Sequence, residues 1–95
     1  MDTNFVQEIP RLRGLPASLP VEGAIRIELQ EGIPILRASF SVQDRVETLL
    51  RKQQDSKLSR EEEEEFDRYE EIDDYLSFLN RLVRNLFQAR QQGES

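Results

Sequence analysis

The sequence predicts an α+β protein that is mainly α-helical and carries one short β-hairpin. In the last third of the chain, apolar residues recur every three or four positions, which is the period of an amphipathic helix. Between Ile25 and Leu36, two apolar runs flank a Glu-Gly pair, which is the pattern of two strands joined by a tight turn. Three of the four prolines lie in the first 23 residues, where they favour extended backbone.

These patterns divide the chain into five segments of a single domain, residues 1–95. Ninety-five residues fit one domain with one core. The predicted segments are an extended arm (1–23), a β-hairpin (24–38), a first helix (41–54), a second helix (59–90) and a disordered polar tail (91–95).

The predicted hairpin has one strand with strict alternation and one strand that contains a proline. Ile25, Ile27 and Leu29 alternate with polar residues, as in a half-buried strand. Gly32 can adopt the positive φ that the turn requires. Pro34 cannot donate a backbone hydrogen bond, so we expect an edge at that position. A two-stranded hairpin alone is marginally stable, so it must pack on the helices or join a second chain.

Each predicted helix begins at a serine that is followed three residues later by an acid. Ser41 and Asp44 form a weak version of the capping box, whereas Ser59 and Glu62 have its full pattern. The acids after Ser59 also favour a helix start, because a helix N-terminus carries a partial positive charge.

The second helix has an apolar face that covers about half of its circumference. The first helix is too short to cover this face, so part of it is left for the hairpin or a second subunit. Steps of three and four residues along the face are typical of a coiled coil. The residues predicted for a dimer or partner interface are Tyr69, Ile72, Tyr75, Leu76, Leu79, Leu82, Val83, Leu86 and Phe87, with Arg81 and Arg84.

Charge is strongly polarised along the second helix. Ten acids and two arginines lie between Ser59 and Asp74, and three arginines and no acid lie between Tyr75 and Arg90. Two such helices attract one another when they are antiparallel, so we predict a homodimer with antiparallel second helices. The alternative is that the gradient only suits the macrodipole of a monomer.

Composition excludes several classes of protein. The chain has no histidine and no cysteine, which removes imidazole bases, thiolate nucleophiles and most zinc sites. The net charge of −6 disfavours a nucleic-acid binder and permits a basic protein partner. No apolar run approaches the length of a membrane span, and residues 1–10 do not resemble a signal peptide, so we expect a cytoplasmic protein.

The acids of the second helix form the predicted acidic surface. Its members are Glu61, Glu62, Glu63, Glu64, Glu65, Glu70, Glu71, Asp73 and Asp74. Their pattern resembles the paired acids of the all-α nucleotide pyrophosphohydrolases, which hold a metal between two helices. Here both halves fall on one helix and cannot face each other, so we expect no metal, no other cofactor and no catalytic residue. The alternative for the acidic run is a solvated face that keeps the protein soluble.

The stretch LLRKQQDSKLSREEEEEFDRYEEIDDYLSFLNRLVRN, residues 49–85, resembles small acidic helical-hairpin proteins of bacteria, particularly cyanobacteria. The preceding IELQEGIPILRAS, residues 27–39, is similar to the same proteins. Some of them are found beside genes for small toxins or HNH-type nucleases. The resemblance therefore implies an antitoxin-like or nuclease-accessory role.

Three functions are compatible with these observations. The first is a non-enzymatic interaction or assembly protein that binds a basic partner through its acidic helical surface. The second is a DNA-binding regulator with a β-ribbon, in which Arg26, Arg37, Arg11 and Arg13 would contact DNA. The third is a metal-dependent hydrolase that uses the acidic run.

Overall fold

The computed structural model describes residues 9–94, with side chains described for residues 9–90. Its elements are β1 (Ile25–Gln30), β2 (Ile33–Ala38), α1 (Phe40–Asp55) and α2 (Arg60–Glu94). The predicted mainly helical α+β fold is confirmed. Neither helix in this part of the chain has an apolar stretch that could span a bilayer. The first eight residues of the predicted arm lie outside the described residues.

The two strands form an antiparallel hairpin in which Ile27 is opposite Leu36. Glu31 and Gly32 have φ values of 54° and 84°. Positive φ at both central residues defines a type I′ turn, whose twist matches that of the flanking strands. The predicted turn is therefore confirmed, and Glu31 adopts a left-handed conformation that costs a non-glycine residue free energy.

At one edge of the hairpin, the side chain of Asn80 on α2 forms hydrogen bonds with the backbone of β2. The Asn80 amide accepts a hydrogen bond from the Leu36 N–H at 2.8 Å and donates one to the Leu36 carbonyl at 2.9 Å. Asn80 thus replaces a neighbouring strand at this position. Pro34 lies on the same edge, two residues from Leu36 and opposite Leu29. The backbone at this position points away from β1, so the hairpin needs no N–H donor from residue 34.

The start of α1 differs from the prediction. Ser39 is the N-cap, and its hydroxyl accepts a hydrogen bond from the Val42 N–H at 3.3 Å. The predicted cap at Ser41 is wrong because β2 ends at Ala38 and the backbone of Ser39 is still extended, which is the conformation of a cap. The helix therefore begins one residue before the predicted bound and continues to Asp55.

The start of α2 agrees with the predicted capping box. The Ser59 hydroxyl accepts from the Glu62 N–H at 3.1 Å, and the Glu62 carboxylate accepts from the Ser59 N–H at 2.9 Å. The far end differs, because α2 is helical through Glu94 rather than ending at 90. Glutamines are good helix formers and one glycine costs only about 1 kcal/mol, so residues 91–94 can remain helical. Ser95 of the predicted tail lies outside the described residues.

The core lies where α1, the link between the helices and the first half of α2 meet. It is made of buried apolar side chains, with Leu19, Ala38, Val46, Phe66 and Leu76 packed against them. The buried members are Val42, Leu49, Leu58, Tyr69 and Ile72. Leu49 is fully buried.

The described part of the arm lies along α2 and is held there by polar contacts. The Arg13 Nε lies 2.6 Å from the Glu71 carboxylate, which also accepts from the Arg13 N–H at 3.1 Å. The Ser18 hydroxyl bonds the carboxylate of Glu65 and the hydroxyl of buried Tyr69. The described part of the arm is attached to the helix, and it is not extended throughout, because the Leu19 N–H donates to the Pro16 carbonyl at 3.1 Å in a turn.

We predict that Asn80→Ala lowers the free energy of unfolding by about 1–2 kcal/mol. Two partly buried hydrogen bonds are lost, and the higher helix propensity of alanine offsets only a fraction of a kcal/mol of the lost stability. Chemical denaturation measures the change. Asn85→Ala is the matched control, because Asn85 is exposed on the same helix and alanine there should stabilise slightly. An equal gain from both changes would contradict the role of Asn80 in holding β2.

We also predict that Glu31→Asn raises the free energy of unfolding by roughly 0.5–1 kcal/mol, because asparagine tolerates the left-handed region and is favoured in type I′ turns. Thermal and chemical denaturation would detect the gain. Glu22→Asn serves as the control, since Glu31 is the only non-glycine residue with positive φ among the described residues. A loss of stability at position 31 would refute the turn assignment.

Candidate interaction surface

The acidic surface predicted on α2 is divided between internal ion pairs and solvent. Glu65 forms a bidentate pair with Arg45 of α1, with both nitrogen–oxygen distances at 2.8 Å. Glu62 accepts from the Lys52 ammonium at 2.6 Å. Together with Glu71, which holds Arg13, these carboxylates attach α1 and the arm to α2.

The internal contacts lower the pKa of each of these carboxyl groups. The Lys52 ammonium and the Ser59 N–H bring the pKa of Glu62 to about 2. The Arg45 guanidinium lowers the pKa of Glu65, and Arg13 lowers that of Glu71. Hydrogen bonds to the charged form are the main cause in all three cases.

The remaining acids of the predicted surface are exposed. They are Glu61, Glu63, Glu64, Glu70, Asp73 and Asp74. None of them forms an ion pair with another described residue. Among residues 9–94 no three acidic side chains converge as metal ligands would. The exposed acids therefore leave negative charge at several positions around α2.

A groove lies between α1, α2 and the end of β2. It encloses about 530 Å³ and has an apolar floor to which all three elements contribute. The floor residues include Leu36, Val42, Val46, Leu50, Phe66, Ile72 and Leu76. Leu50 is 40% exposed, so this apolar surface is open to solvent and accessible to another molecule.

The long walls of the groove are acidic. Glu47 lies on the α1 side, and Glu70 and Asp73 lie on the α2 side. All three side chains are exposed and make no ion pair within the described residues. Arg37 is the only base that lines the described groove, and its Nε donates to Glu28 at 2.8 Å. An apolar floor between carboxylates suits a ligand that is both apolar and positively charged.

The predicted interface residues of α2 fall into three groups. Tyr69 and Ile72 are buried in the chain's own core. A middle group of five residues is half-buried. The third group is exposed: Leu86 and Phe87 are 61% and 37% exposed, and Arg81 and Arg84 are also exposed. The middle group consists of Tyr75, Leu76, Leu79, Leu82 and Val83. The chain's own packing therefore covers the apolar face at its start and leaves it open toward the C-terminus.

Three of the four arginines considered as DNA contacts are engaged within the chain. Arg26 and Arg37 both pair with Glu28 on one face of the hairpin. The Arg26 guanidinium also lies 4.3 Å from the centre of the Phe40 ring. Arg13 pairs with Glu71, and Arg11 is exposed.

Sequence reasoning missed most of the residues that line the groove, among them Glu47 and Leu50. Glu47 and Leu50 lie on α1, and the sequence analysis placed the interaction surface on the second helix alone. Their spacing of three residues on an amphipathic helix was the available signal, since such residues share a face. Which face of α1 remains open depends on how α1 packs on α2.

Comparison with known proteins finds no matching family model, no similar curated protein and no similar solved structure. The fold and the groove define an acidic helical hairpin with a β-hairpin attached to its long helix. The resemblance to small bacterial helical-hairpin proteins stays a prediction.

We predict that acid destabilises the protein as pH falls from about 4.5 toward 2. A carboxyl group whose folded pKa is lowered stabilises the fold above its unfolded pKa, and this contribution is lost as pH falls through the folded pKa. For Glu62 that interval lies between 4.5 and about 2. Glu62→Gln should therefore flatten the dependence of unfolding free energy on pH in this range.

Glu63→Gln is the matched control for this measurement. Both residues lie in the first turn of α2, so each substitution removes the same favourable interaction with the helix dipole. Glu63 is exposed and forms no ion pair with the described residues. Identical pH profiles for the two variants would show that the Lys52 contact does not contribute to stability.

Proposed function

We propose that this protein is a non-enzymatic interaction module whose groove binds an amphipathic, basic segment of a partner protein. The observation that supports the proposal is the combination of an open apolar floor with acidic walls. Leu50 is exposed at the floor, and Glu47, Glu70 and Asp73 lie unpaired beside it. Burying a basic segment there would satisfy both the apolar surface and the carboxylates.

A helix is the form of ligand that suits this groove. Its apolar floor is built from side chains of both helices and of the end of β2. Amphipathic helices dock in such grooves through residues at positions i, i+3, i+4 and i+7. Lysines or arginines that flank this row would face Glu47 on one wall and Glu70 and Asp73 on the other. Opposite charges at the rim also raise the rate of association.

The sharpest form of the proposal is an antitoxin-like or nuclease-accessory role in the cytoplasm. Toxins and nucleases that act on nucleic acid carry clustered lysine and arginine, because they must neutralise phosphates. An acidic groove would bind such a cluster and compete with the nucleic acid. The net charge of −6 adds long-range attraction for a basic protein.

The test uses a synthetic amphipathic helical peptide with leucines at i, i+3, i+4 and i+7 and lysines at the flanking positions. We expect it to bind with a Kd on the order of 10 µM, measured by calorimetry. The same peptide with glutamates in place of the lysines should not bind. Glu70→Lys combined with Asp73→Lys should weaken binding of the basic peptide at least tenfold.

Glu63→Lys combined with Asp74→Lys is the matched control. It makes the same change in net charge on the same helix, and neither residue lines the groove. Binding that falls equally in both double variants would show attraction to the whole protein rather than to the groove. Equal binding of the acidic and basic peptides would contradict the proposal.

A further inference from the structure

The second edge of the hairpin differs from the first in that no described residue forms a hydrogen bond to it. The edge of β2 is held by Asn80. The described residues form a sheet of two strands only, and none of them contacts the outer backbone edge of β1 by a hydrogen bond. A free edge presents unpaired N–H and C=O groups to other strands.

The hairpin register identifies the backbone groups on this edge. A two-residue turn makes Gln30 and Ile33 a hydrogen-bonded pair, and pair types alternate from there. Ile25, Ile27 and Leu29 therefore point their N–H and C=O groups away from β2. The bonds between Leu36 and Asn80 confirm this alternation, because Leu36 is opposite Ile27 and also points its groups outward.

The side chains of the same three residues form an exposed apolar row. Ile25 is 40% exposed, Ile27 is 65% exposed and Leu29 is 71% exposed. The strand lacks several of the features that protect an edge, since β1 reads IRIELQ without proline, lysine or bulge. Its two charged residues, Arg26 and Glu28, have opposite signs.

The segment IRIEL is complementary to itself when it is reversed about Ile27. We propose that β1 pairs with β1 of a second copy of this chain, antiparallel and with Ile27 opposite Ile27. Arg26 of each copy then lies opposite Glu28 of the other, and Ile25 lies opposite Leu29. The residues with outward backbone groups face one another, so each such pair exchanges both backbone hydrogen bonds.

Charge selects this register over its neighbours. Any alternative register must still place the outward-pointing backbone groups of the two strands opposite each other and keep their apolar side chains on one face. One strand can therefore slide along the other only in steps of two residues. One step in one direction places Arg26 opposite Arg26, and one step in the other direction places Glu28 opposite Glu28. Like charges directly opposite each other destabilise a strand pair, whereas opposite charges stabilise it.

The result is a four-stranded sheet in the order β2-β1-β1-β2, whose two outer edges are both held by Asn80. This sheet removes the free edge and places the exposed apolar rows side by side. A hairpin of two strands is marginal, and more strands with an apolar face give independent stability. The pairing uses a surface other than the antiparallel second helices predicted from the sequence.

The first test is disulfide cross-linking of single-cysteine variants in the full chain, which has no cysteine of its own. Ile27→Cys should form an intermolecular disulfide rapidly, because directly opposite residues of a hydrogen-bonded pair have Cα atoms about 5.5 Å apart. Leu29→Cys is the matched control. It is equally exposed, but its copy would lie about 13 Å away along the strand. We expect the rates to differ at least tenfold, and equal rates would overturn the register.

The second test is complementation of charge, read by sedimentation equilibrium. The native chain should reach a mass near 22.4 kDa, twice the 11.2 kDa of one chain. Arg26→Glu alone and Glu28→Arg alone should each weaken dimerisation at least tenfold, because like charges then face each other. Mixing the two variants should restore a dimer, since each position again faces an opposite charge.

Circular dichroism of each variant establishes that it is folded, and recovery of the dimer in the mixture confirms it. A native chain that stays monomeric at about 100 µM would overturn the proposal. A dimer that survives Arg26→Glu but is lost on Leu86→Asp with Phe87→Asp would also overturn it, and would indicate pairing through the second helices.

Discussion

The structure depends on a helix that is as long as the molecule. At about 1.5 Å per residue, the 35 residues of α2 extend roughly 52 Å, and the longest dimension of the protein is 55 Å. The other segments attach to this helix one after another. The arm and α1 bind its first half, and β2 binds further along at Asn80. The remaining sixty residues are too few to enclose such a long helix, so part of its apolar surface, including Leu86 and Phe87, stays exposed.

The acidic side chains of α2 have two different structural roles. Glu62, Glu65 and Glu71 hold segments of the chain in place. Their neighbours Glu70 and Asp73 face the open groove. Position around the helix separates adjacent Glu70 and Glu71, which differ by about 100°, whereas Glu62 and Asp73 lie on nearly the same side and are separated by their distance along the helix. A run of acids that looks uniform in sequence thus contains both carboxylates that form ion pairs within the chain and carboxylates that line the open groove.

Most local contacts could be predicted from the sequence, with the N-cap of α1 placed two residues too late, and distant contacts could not. The capping box joins Ser59 to Glu62, and the turn involves adjacent residues Glu31 and Gly32, so their patterns are visible over a few positions. The Asn80 contact with Leu36 spans 44 residues. Nothing in the identity of an asparagine within a helix indicates which backbone it will bind. The groove could not be predicted for the same reason, because it forms only when α1 packs on α2.

The two proposed surfaces are compatible because β2 separates them. The outer edge of β1 faces away from β2, whereas the groove begins at Leu36 on β2 and runs between the helices. A dimer joined at β1 would therefore keep both grooves open and hold them at a fixed separation. Two linked sites bind a partner with two matching segments far more tightly than one site does, through the raised effective concentration of the second. Assembly through the hairpin would in this way increase the affinity of the grooves without any change in their chemistry.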